Sequence, residues 1–256
     1  MGKAHQLAQR RQQILTALEE AGQLSVLELS ARFDVSEVTI RQDLQVLSDR
    51  GLLLRTRGGA LSTSTLPEFS FDIRQHQQAS EKARIGQVAA KLVSSGDTII
   101  VDASTTAQAI IPFIKNLSEL TVITNSLKAA LSLLDAPQIQ ILLPGGNLRR
   151  ESISLVGYPQ DDVLRNLHVR LGFFGARGVT ADEGLTDVNL EEVAMKRAMV
   201  ERCRYVVGVA DARKWGNVAA ATFAPLDQVH TLITDTAAPE DVVRQIRAHG
   251  VEVVLV

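Results

Sequence analysis

Apolar residues recur along this chain with two different periods, and the change of period divides it. Over the first sixty residues the period is helical. Ile14, Ala17, Leu18 and Ala21 stand at i, i+3, i+4 and i+7, the stripe of an amphipathic helix, and Gly22 ends it. Ser25-Val26-Leu27-Glu28 is a capping-box pattern, in which the serine oxygen accepts the Glu28 N–H while the glutamate reaches back. It opens a helix with Val26, Leu29 and Phe33 on one side. A turn at Asp34-Val35 and an N-cap at Ser36 lead into a third helix, with Glu37 favourably placed in its first turn. Ile40, Leu44 and Leu47 form its inner face; at about 100° per residue, Val38, Arg41, Gln42 and Gln45 point the other way. Gly51 is expected to end that helix. Residues 52–61, apolar, then basic, then Gly-Gly, predict a small β-wing.

Beyond a polar, Pro-terminated stretch, Ser62 to Pro67, the pattern changes. Ser80 and Glu81 open a helix running to about Val93. Short apolar runs then alternate with helical segments. The runs are Thr98–Asp102, Leu120–Thr124, Gln138–Leu143, Val169–Phe174, Tyr205–Ala210, Thr231–Thr234 and Val251–Val256. Helical patterns lie between them near 105–115, 126–134, 190–202 and 240–249. Such alternation implies βαβ units and a mainly parallel sheet. Ile99 to Val101 and Val251 to Val256 look buried on both faces. The expected architecture is an N-terminal all-α winged helix-turn-helix at 1–61, a linker at 62–79, and a C-terminal α/β domain at 80–256.

Composition adds limits. A chain of 256 residues is comfortable for two domains at roughly 100–200 residues each. With 45% apolar and 22% charged residues it is ordinary for a globular protein and too apolar to be disordered. One cysteine, Cys203, excludes an internal disulfide and fits a reducing compartment. It is expected to be a buried small hydrophobe. The first residues lack the apolar run of a secretory signal, and no run approaches the roughly 18–20 residues of a membrane span. A soluble, cytoplasmic protein with no membrane partner is therefore the expectation. The five histidines are widely separated, with no H-E-x-x-H and no second cysteine, so no metal site is expected. No nucleophile elbow or Walker A loop is present, so neither catalytic residues nor a cofactor are expected. The net charge of −2 excludes a generic polycation. It averages 8 Lys/Arg against 7 acids over residues 1–61 with 19 against 22 over residues 62–256. Arg50, Arg55 and Arg57 lie within eight residues, and no acid falls between Asp49 and Glu68.

Two short helices joined by a tight turn, the second with a polar outer face, have the geometry of a helix-turn-helix that enters a DNA major groove. Arg41 and Gln42 are of the types that read guanine and adenine. Ser25, Ser36 and Thr39 suit phosphate contacts, Val38 and Gln45 share the outer face, and Arg55 and Arg57 on a wing would grip backbone or minor groove. A three-helix packing module with a solvated polar face explains the same spacing. The motifs are more specific than the spacing. Arg10-x-x-x-Ile14, then Thr39-Ile40-Arg41-Gln42-Asp43-Leu44, then Arg55-Thr56-Arg57-Gly58-Gly59-Ala60, resemble the DeoR-type family of bacterial repressors. The resemblance implies operator DNA as a partner. That family often has arginine where this chain has Gln42.

In the second half, Asp102-Ala103-Ser104-Thr105-Thr106 follows a strand and enters a helix, so hydroxyls and free N–H groups converge in a way that suits an anion. An ordinary Ser/Thr cap explains it too. Thr124-Asn125-Ser126 and Pro144-Gly145-Gly146-Asn147-Leu148-Arg149 repeat the arrangement after the next two strands. Three such loops would cluster at one edge of a parallel sheet, where open α/β folds bind ligands. Phe173-Phe174-Gly175-Ala176-Arg177-Gly178 is a weaker signal, explained equally by close backbone approach. Glu192 and Lys196 stand at i, i+4, for which a surface ion pair is the plain reading. Asp211 and Lys214 close another strand and would hold hydroxyl and phosphate groups, or form a loop salt bridge.

These blocks also occur in the order found in DeoR-type effector domains, which are similar to sugar-phosphate isomerases. The resemblance implies a phosphorylated sugar that releases the repressor. Carried over from it, the candidate effector contacts are Asp102, Ser104, Thr105, Thr106, Asn125, Gly146, Arg149, Asp211 and Lys214; Thr124, Ser126, Gly145, Gly175, Arg177 and Lys196 complete the expected effector-binding set. Ala103 departs from a common glycine, and Arg213 and Trp215 from a common serine and phenylalanine. The expected function is a repressor of a sugar or polyol catabolic operon, acting as a homodimer or homotetramer. The alternative is a sugar-phosphate isomerase with an N-terminal interaction module, for which Glu191, Glu192 and Asp211 are candidate bases.

Overall fold

The computed structural model describes residues 3–49, 53–62, 71–157 and 167–256. Arg50, the helix stop at Gly51, and linker residues 63–70 lie outside them. The chain divides into two compact units, Met1–Gln77 and Gln78–Val256.

In the first unit, α1 (Lys3–Ala21), α2 (Val26–Phe33) and α3 (Glu37–Asp49) close around Ile14, Leu18, Val26, Leu29, Ile40, Leu44 and Leu47. Ala21, expected in the buried stripe, is exposed, because α1 ends on it and Gly22 turns the chain with φ 75°. Both halves of the capping box at Ser25 are formed. Asp34 closes α2 in the left-handed region, and Ser36 Oγ accepts the Thr39 N–H at 3.2 Å to start α3. The wing is β2 (Leu53–Arg55) antiparallel to β3 (Gly59–Ser62). A third strand, β1 (Gln23–Ser25), pairs with the other edge of β3. Three residues carry no period, so the helical reading had no means of finding β1. A short helix, α4 (Phe71–His76), occupies part of the stretch read as linker, with Phe71 buried.

The second unit opens on α5 (Ala79–Ala90), one residue before the expected start. Seven strands form its central sheet: β4 (Thr98–Val101), β5 (Thr121–Ile123), β6 (Gln140–Leu142), β9 (Val169–Gly175), β12 (Cys203–Val209), β14 (Thr231–Thr234) and β15 (Glu252–Leu255). They are the seven apolar runs of the sequence. The order is β15-β14-β12-β9-β4-β5-β6, with every neighbouring pair parallel. From β4 the chain adds β5 and β6 on one side; it then returns to β9, on the other side of β4, and continues outward. The order therefore reverses between β4 and β9.

Successive strand residues point to opposite faces, and both faces are covered. On one, Ile99, Val101, Phe173, Val207 and Ile233 pack with Ile85 and Ala89 of α5. The same layer takes in α6 (Thr105–Gln108), α7 (Ile111–Ile114) and α8 (Leu127–Ser132) through Ala107, Ile111, Ile114 and Ala129. On the other, Ile100, Phe174, Val206 and Leu232 meet α9 (Leu190–Val200) and α10 (Glu240–Ala248). Full burial of each such side chain stabilises by roughly 1.5–3 kcal/mol. Val251 and Val253 are buried as expected, but Leu255 is exposed, because β15 is an edge strand with one side uncovered. Short strands that alternation did not disclose complete the unit. They are the hairpin of β7 (Asn147–Arg149) and β8 (Ser154–Val156), and an antiparallel sheet of β10 (Gly178–Thr180), β11 (Gly184–Asp187) and β13 (Ala221–Ala224).

Candidate functional site

The outer face of α3 presents Val38, Arg41, Gln42 and Gln45 to solvent, as the helical period requires; Val38 is 64% exposed. Arg41 Nη2 lies 2.9 Å from Glu37 Oε2, one turn back, which aims the guanidinium along the helix. Gln45 Oε1 accepts from Arg55 Nη1 at 2.7 Å, joining α3 to the wing. Arg57 is exposed between β2 and β3. Ser25 is occupied by its own cap: its Oγ donates to Glu28 Oε2 at 2.7 Å, and its N–H does the same. The backbone and hydroxyl bonds from Ser25 hold the Glu28 carboxyl below the usual range.

Asp43 belongs to the same motif but faces inward. It is almost fully buried and accepts from Arg10 Nε at 2.7 Å and Arg11 Nε at 2.8 Å. These contacts lock α1 across α3. The motif thus contains an internal clamp as well as exposed polar residues, and the spacing does not say which is which.

In the second unit, Asp102 directly follows β4 and Gly175 ends β9, so the two meet at the reversal of strand order. Open α/β sheets bind ligands in the crevice at such a point. Asp102 Oδ1 accepts the Ser104 N–H at 2.8 Å and Oδ2 accepts the Gly175 N–H at 3.0 Å. A Cβ on Gly175 would lie 2.1 Å from Ser104 Oγ, so the close approach of β9 to this loop requires glycine. Lys196, from α9, reaches the same point. Its Nζ lies 3.1 Å from Asp102 Oδ2 and 2.6 Å from Asp187 Oδ2, donates to the Gly175 carbonyl at 2.7 Å, and stands 4.6 Å over the Phe223 ring.

Lys196 is only 4% exposed. Burial opposes its charge, yet Asp102, Asp187 and Glu192 together hold its pKa above the usual lysine value. Burial likewise works against the Asp187 carboxylate, and the charge and hydrogen bond of Lys196, the Val188 N–H and the Arg177 charge together outweigh it, keeping that carboxyl below its usual range. The expected surface pair of Glu192 with Lys196 is corrected here: both are buried, with different partners. Glu192 Oε1 lies 3.1 Å from Arg149 Nη1, on the β7–β8 hairpin. Ser154 Oγ donates to the same oxygen at 3.5 Å.

Of the remaining candidates, Thr124, Asn125 and Ser126 follow β5 and are buried. Thr124 Oγ1 accepts the Ser126 N–H, Ser126 Oγ caps α8, and Asn125 Nδ2 donates to the Leu155 carbonyl at 3.0 Å. Asn125 Oδ1 has no partner among the described residues. Gly145 and Gly146 turn the chain into β7 with φ of 80° and 119°. Ser104 caps α6; Thr105 and Thr106 are buried in its first turn. Because α6 spans four residues, its dipole is small and the side chains carry the loop's polarity.

Asp211 lies just beyond β12 and is buried; its carboxylate accepts from Arg213 Nε at 2.9 Å, and the Lys214 charge acts on it as well. Burial raises the Asp211 pKa and the Arg213 hydrogen bond and charge more than offset it, so it stays below the usual range. Lys214 is half-buried, its N–H donating to the Asp211 carbonyl. Arg177 is half-buried, with Nη2 buried and unpartnered among the described residues. Cys203 starts β12; burial pushes its thiol up to about 12, so it is no nucleophile at neutral pH. Among the described residues no cluster of histidine, cysteine and carboxylates fits a metal ion, and no helix is long and apolar enough to cross a membrane.

Sequence reasoning missed Asp187, Asp235 and Lys82. Asp235 follows β14 and accepts the Ala212 N–H at 2.8 Å, fixing the Asp211 loop. Lys82 donates to Thr105 Oγ1 at 2.9 Å. A signal for Lys82 was present: with Ile85, Gly86 and Ala89 it stands at i, i+3, i+4 and i+7, a charge inside an apolar stripe.

Residues 10–65 match the DeoR-like helix-turn-helix domain, and residues 77–236 match the DeoR C terminal sensor domain. The HTH-type transcriptional regulator GolR of Listeria innocua is 35% identical, covering 96% of this chain and 97% of its own. The glycerol-3-phosphate regulon repressor of Escherichia coli is 31% identical over 96% of this chain and 98% of its own. A solved D-ribose-5-phosphate isomerase in complex with phospho-erythronic acid has TM-score 0.41 at 15% identity, covering 54% of each chain, a likeness too distant to bear on activity. On the two matched domains and on relatives aligned nearly end to end, this chain belongs to the DeoR family of transcriptional regulators.

Proposed function

We propose that the chain represses a sugar or polyol catabolic operon and leaves its operator when a phosphorylated sugar binds the second unit. The carrying observation is the buried Asp102–Lys196 ion pair beneath the polar loops at the β4/β9 reversal, where open α/β sheets have their crevice, in a chain whose other unit exposes the polar face of α3. The names of relatives support the effector class, among them the glycerol-3-phosphate regulon repressor and a putative aga operon repressor, both of Escherichia coli. The family makes the chain a regulator and not an enzyme.

The division of labour we infer is a DNA-binding domain at 1–61, a linker at 62–79 and an effector domain at 80–256. Ser36, Thr39, Arg55, Arg57 and the Ser25 cap position the module on phosphates. Val38, Arg41, Gln42 and Gln45 face base edges, with Val38 suited to a thymine methyl and Arg41 to guanine. In the crevice, Ser104, Thr105, Thr106, Asn125 and Arg149 contact the effector, with Gly145, Gly146 and Gly175 setting backbone approach. Thr124 and Ser126 shape the second loop, and Arg177, Asp211 and Lys214 face the sugar end. Asp102 and Lys196 position this set from beneath. The protein works in the cytoplasm as a homodimer or homotetramer, matching a palindromic operator.

The test is a selection of duplexes by the chain from a random library, followed by retention assays with and without a panel of sugar phosphates. One phosphate ester is expected to raise the melting temperature and to weaken retention. If no panel member changes either at saturation, the effector assignment fails.

A further inference from the structure

Lys82 is 5% exposed, in the first turns of α5. A lysine in an apolar stripe is unfavourable unless its charge is met. Its ammonium donates to Thr105 Oγ1 at 2.9 Å, inside the Asp102–Thr106 loop. It also lies close enough to Asp211 to add to the charges that hold that carboxylate ionised against its burial, behind Arg213 and Lys214. Lys82 therefore stands between two loops of the crevice while belonging to neither.

Two backbone features tie this side chain to the junction of the units. The Lys82 N–H donates to the Gln78 carbonyl at 2.9 Å, closing the first turn of α5. Gln78 is the first residue of the second unit and sits in the left-handed region, φ 51° and ψ 41°. A non-glycine residue stays there only when its surroundings hold it. One turn further on, a Cβ on Gly86 would lie 2.3 Å from the Ala109 carbonyl oxygen, so α5 lies flush against the end of α6.

We propose, building on the effector reading above, that Lys82 couples the crevice to the DNA-binding unit. Its ammonium binds the effector's anionic group beside Thr105, and the first turn of α5 carries the displacement to Gln78. The left-handed residue is the element with a second conformation to go to, which a coupling device needs.

The experiment measures, on the full chain, the factor by which a ligand weakens retention of the selected duplex. The probes are glycerol 3-phosphate, glucose 6-phosphate and inorganic phosphate. Couplings of this kind run about 5–150-fold. Lys82→Met is expected to keep DNA affinity and bring the factor to within about twofold of unity, with Lys82→Arg restoring part of it. Gln78→Gly, which adopts the left-handed region freely, is expected to keep probe affinity while lowering the factor at least about fivefold. A purely structural Lys82 would instead lower thermal stability and leave Gln78→Gly indistinguishable from wild type. Wild-type coupling in either Lys82→Met or Gln78→Gly overturns the proposal. Should Lys82→Met fail to fold, Gln78→Gly decides alone. If the wild type binds no probe, the effector reading falls and this inference with it, an outcome distinct from loss confined to the variants.

Discussion

Replacing Lys196 by methionine keeps the length and apolar character of the side chain and removes only the charge. In the wild type that charge meets Asp102 at 3.1 Å and Asp187 at 2.6 Å, in a site where all three groups are buried. Taking away one partner of a buried ion pair leaves the other uncompensated, at about 3–5 kcal/mol. For a unit of this size each kcal/mol lowers the melting temperature by about 2–4 °C, so a fall of roughly 6–20 °C is expected. The chain has one tryptophan, Trp215, buried in the second unit, so tryptophan fluorescence follows the melting of that unit alone. The pH dependence is the sharper check. In the wild type the lowered Asp187 pKa contributes stability above the ordinary aspartate value of 3.8 that is lost as pH falls through the folded value. The raised Lys196 pKa contributes stability below 10.5 that is lost as pH rises through its own folded value. Between these limits the pair's contribution is flat. In Lys196→Met the Asp187 carboxylate stays buried and loses its main counter-charge, so it binds its proton more tightly folded than unfolded. The variant's deficit therefore shrinks as pH falls from 7.5 to 4.5. A melting difference under 2 °C, or one equal at both pH values, would refute the counter-ion role.

Arg41→Ala is expected to weaken binding to the selected duplex by about 1–3 kcal/mol with little change on random DNA; an equal loss on both would mean a phosphate contact. Gly175→Ala places a Cβ where Ser104 Oγ now lies, and overpacking of this kind costs about 1–3 kcal/mol. Effector affinity should fall with DNA affinity retained, and unchanged effector affinity would remove Ser104 from the site. Ser25→Ala removes the cap of α2 at about 1 kcal/mol, which circular dichroism should detect as earlier helix melting, while the Trp215 transition stays in place.

How much of this was legible beforehand follows from the length and period of each segment. All seven strands of the parallel sheet were, because each is a short apolar run bounded by turn residues. So were the exposed polar face of α3 and the polar loops after β4, β5 and β6. Strands β1, β7, β8, β10, β11 and β13 are as short as β5 and β6 but mix polar, glycine and apolar residues, so no continuous apolar run marks them. The site was half legible: Asp102, Ser104, Asn125 and Arg149 stand in recognisable loops, whereas Asp187 and Lys82 come from elements that no loop motif marks.

The charged residues of α9 show where the boundary lies. On sequence alone Glu192 and Lys196 are an i, i+4 pair indistinguishable from one on a solvated helix. Whether such a pair is exposed or buried depends on what covers the helix, and the cover comes from β11, β13 and the β7–β8 hairpin. The sequence by itself determined the elements, because periodicity and capping act over a few residues. Tertiary structure decided the strand order, and with it the meeting of Asp102, Gly175 and Lys196, because desolvation of a charge depends on groups distant along the chain.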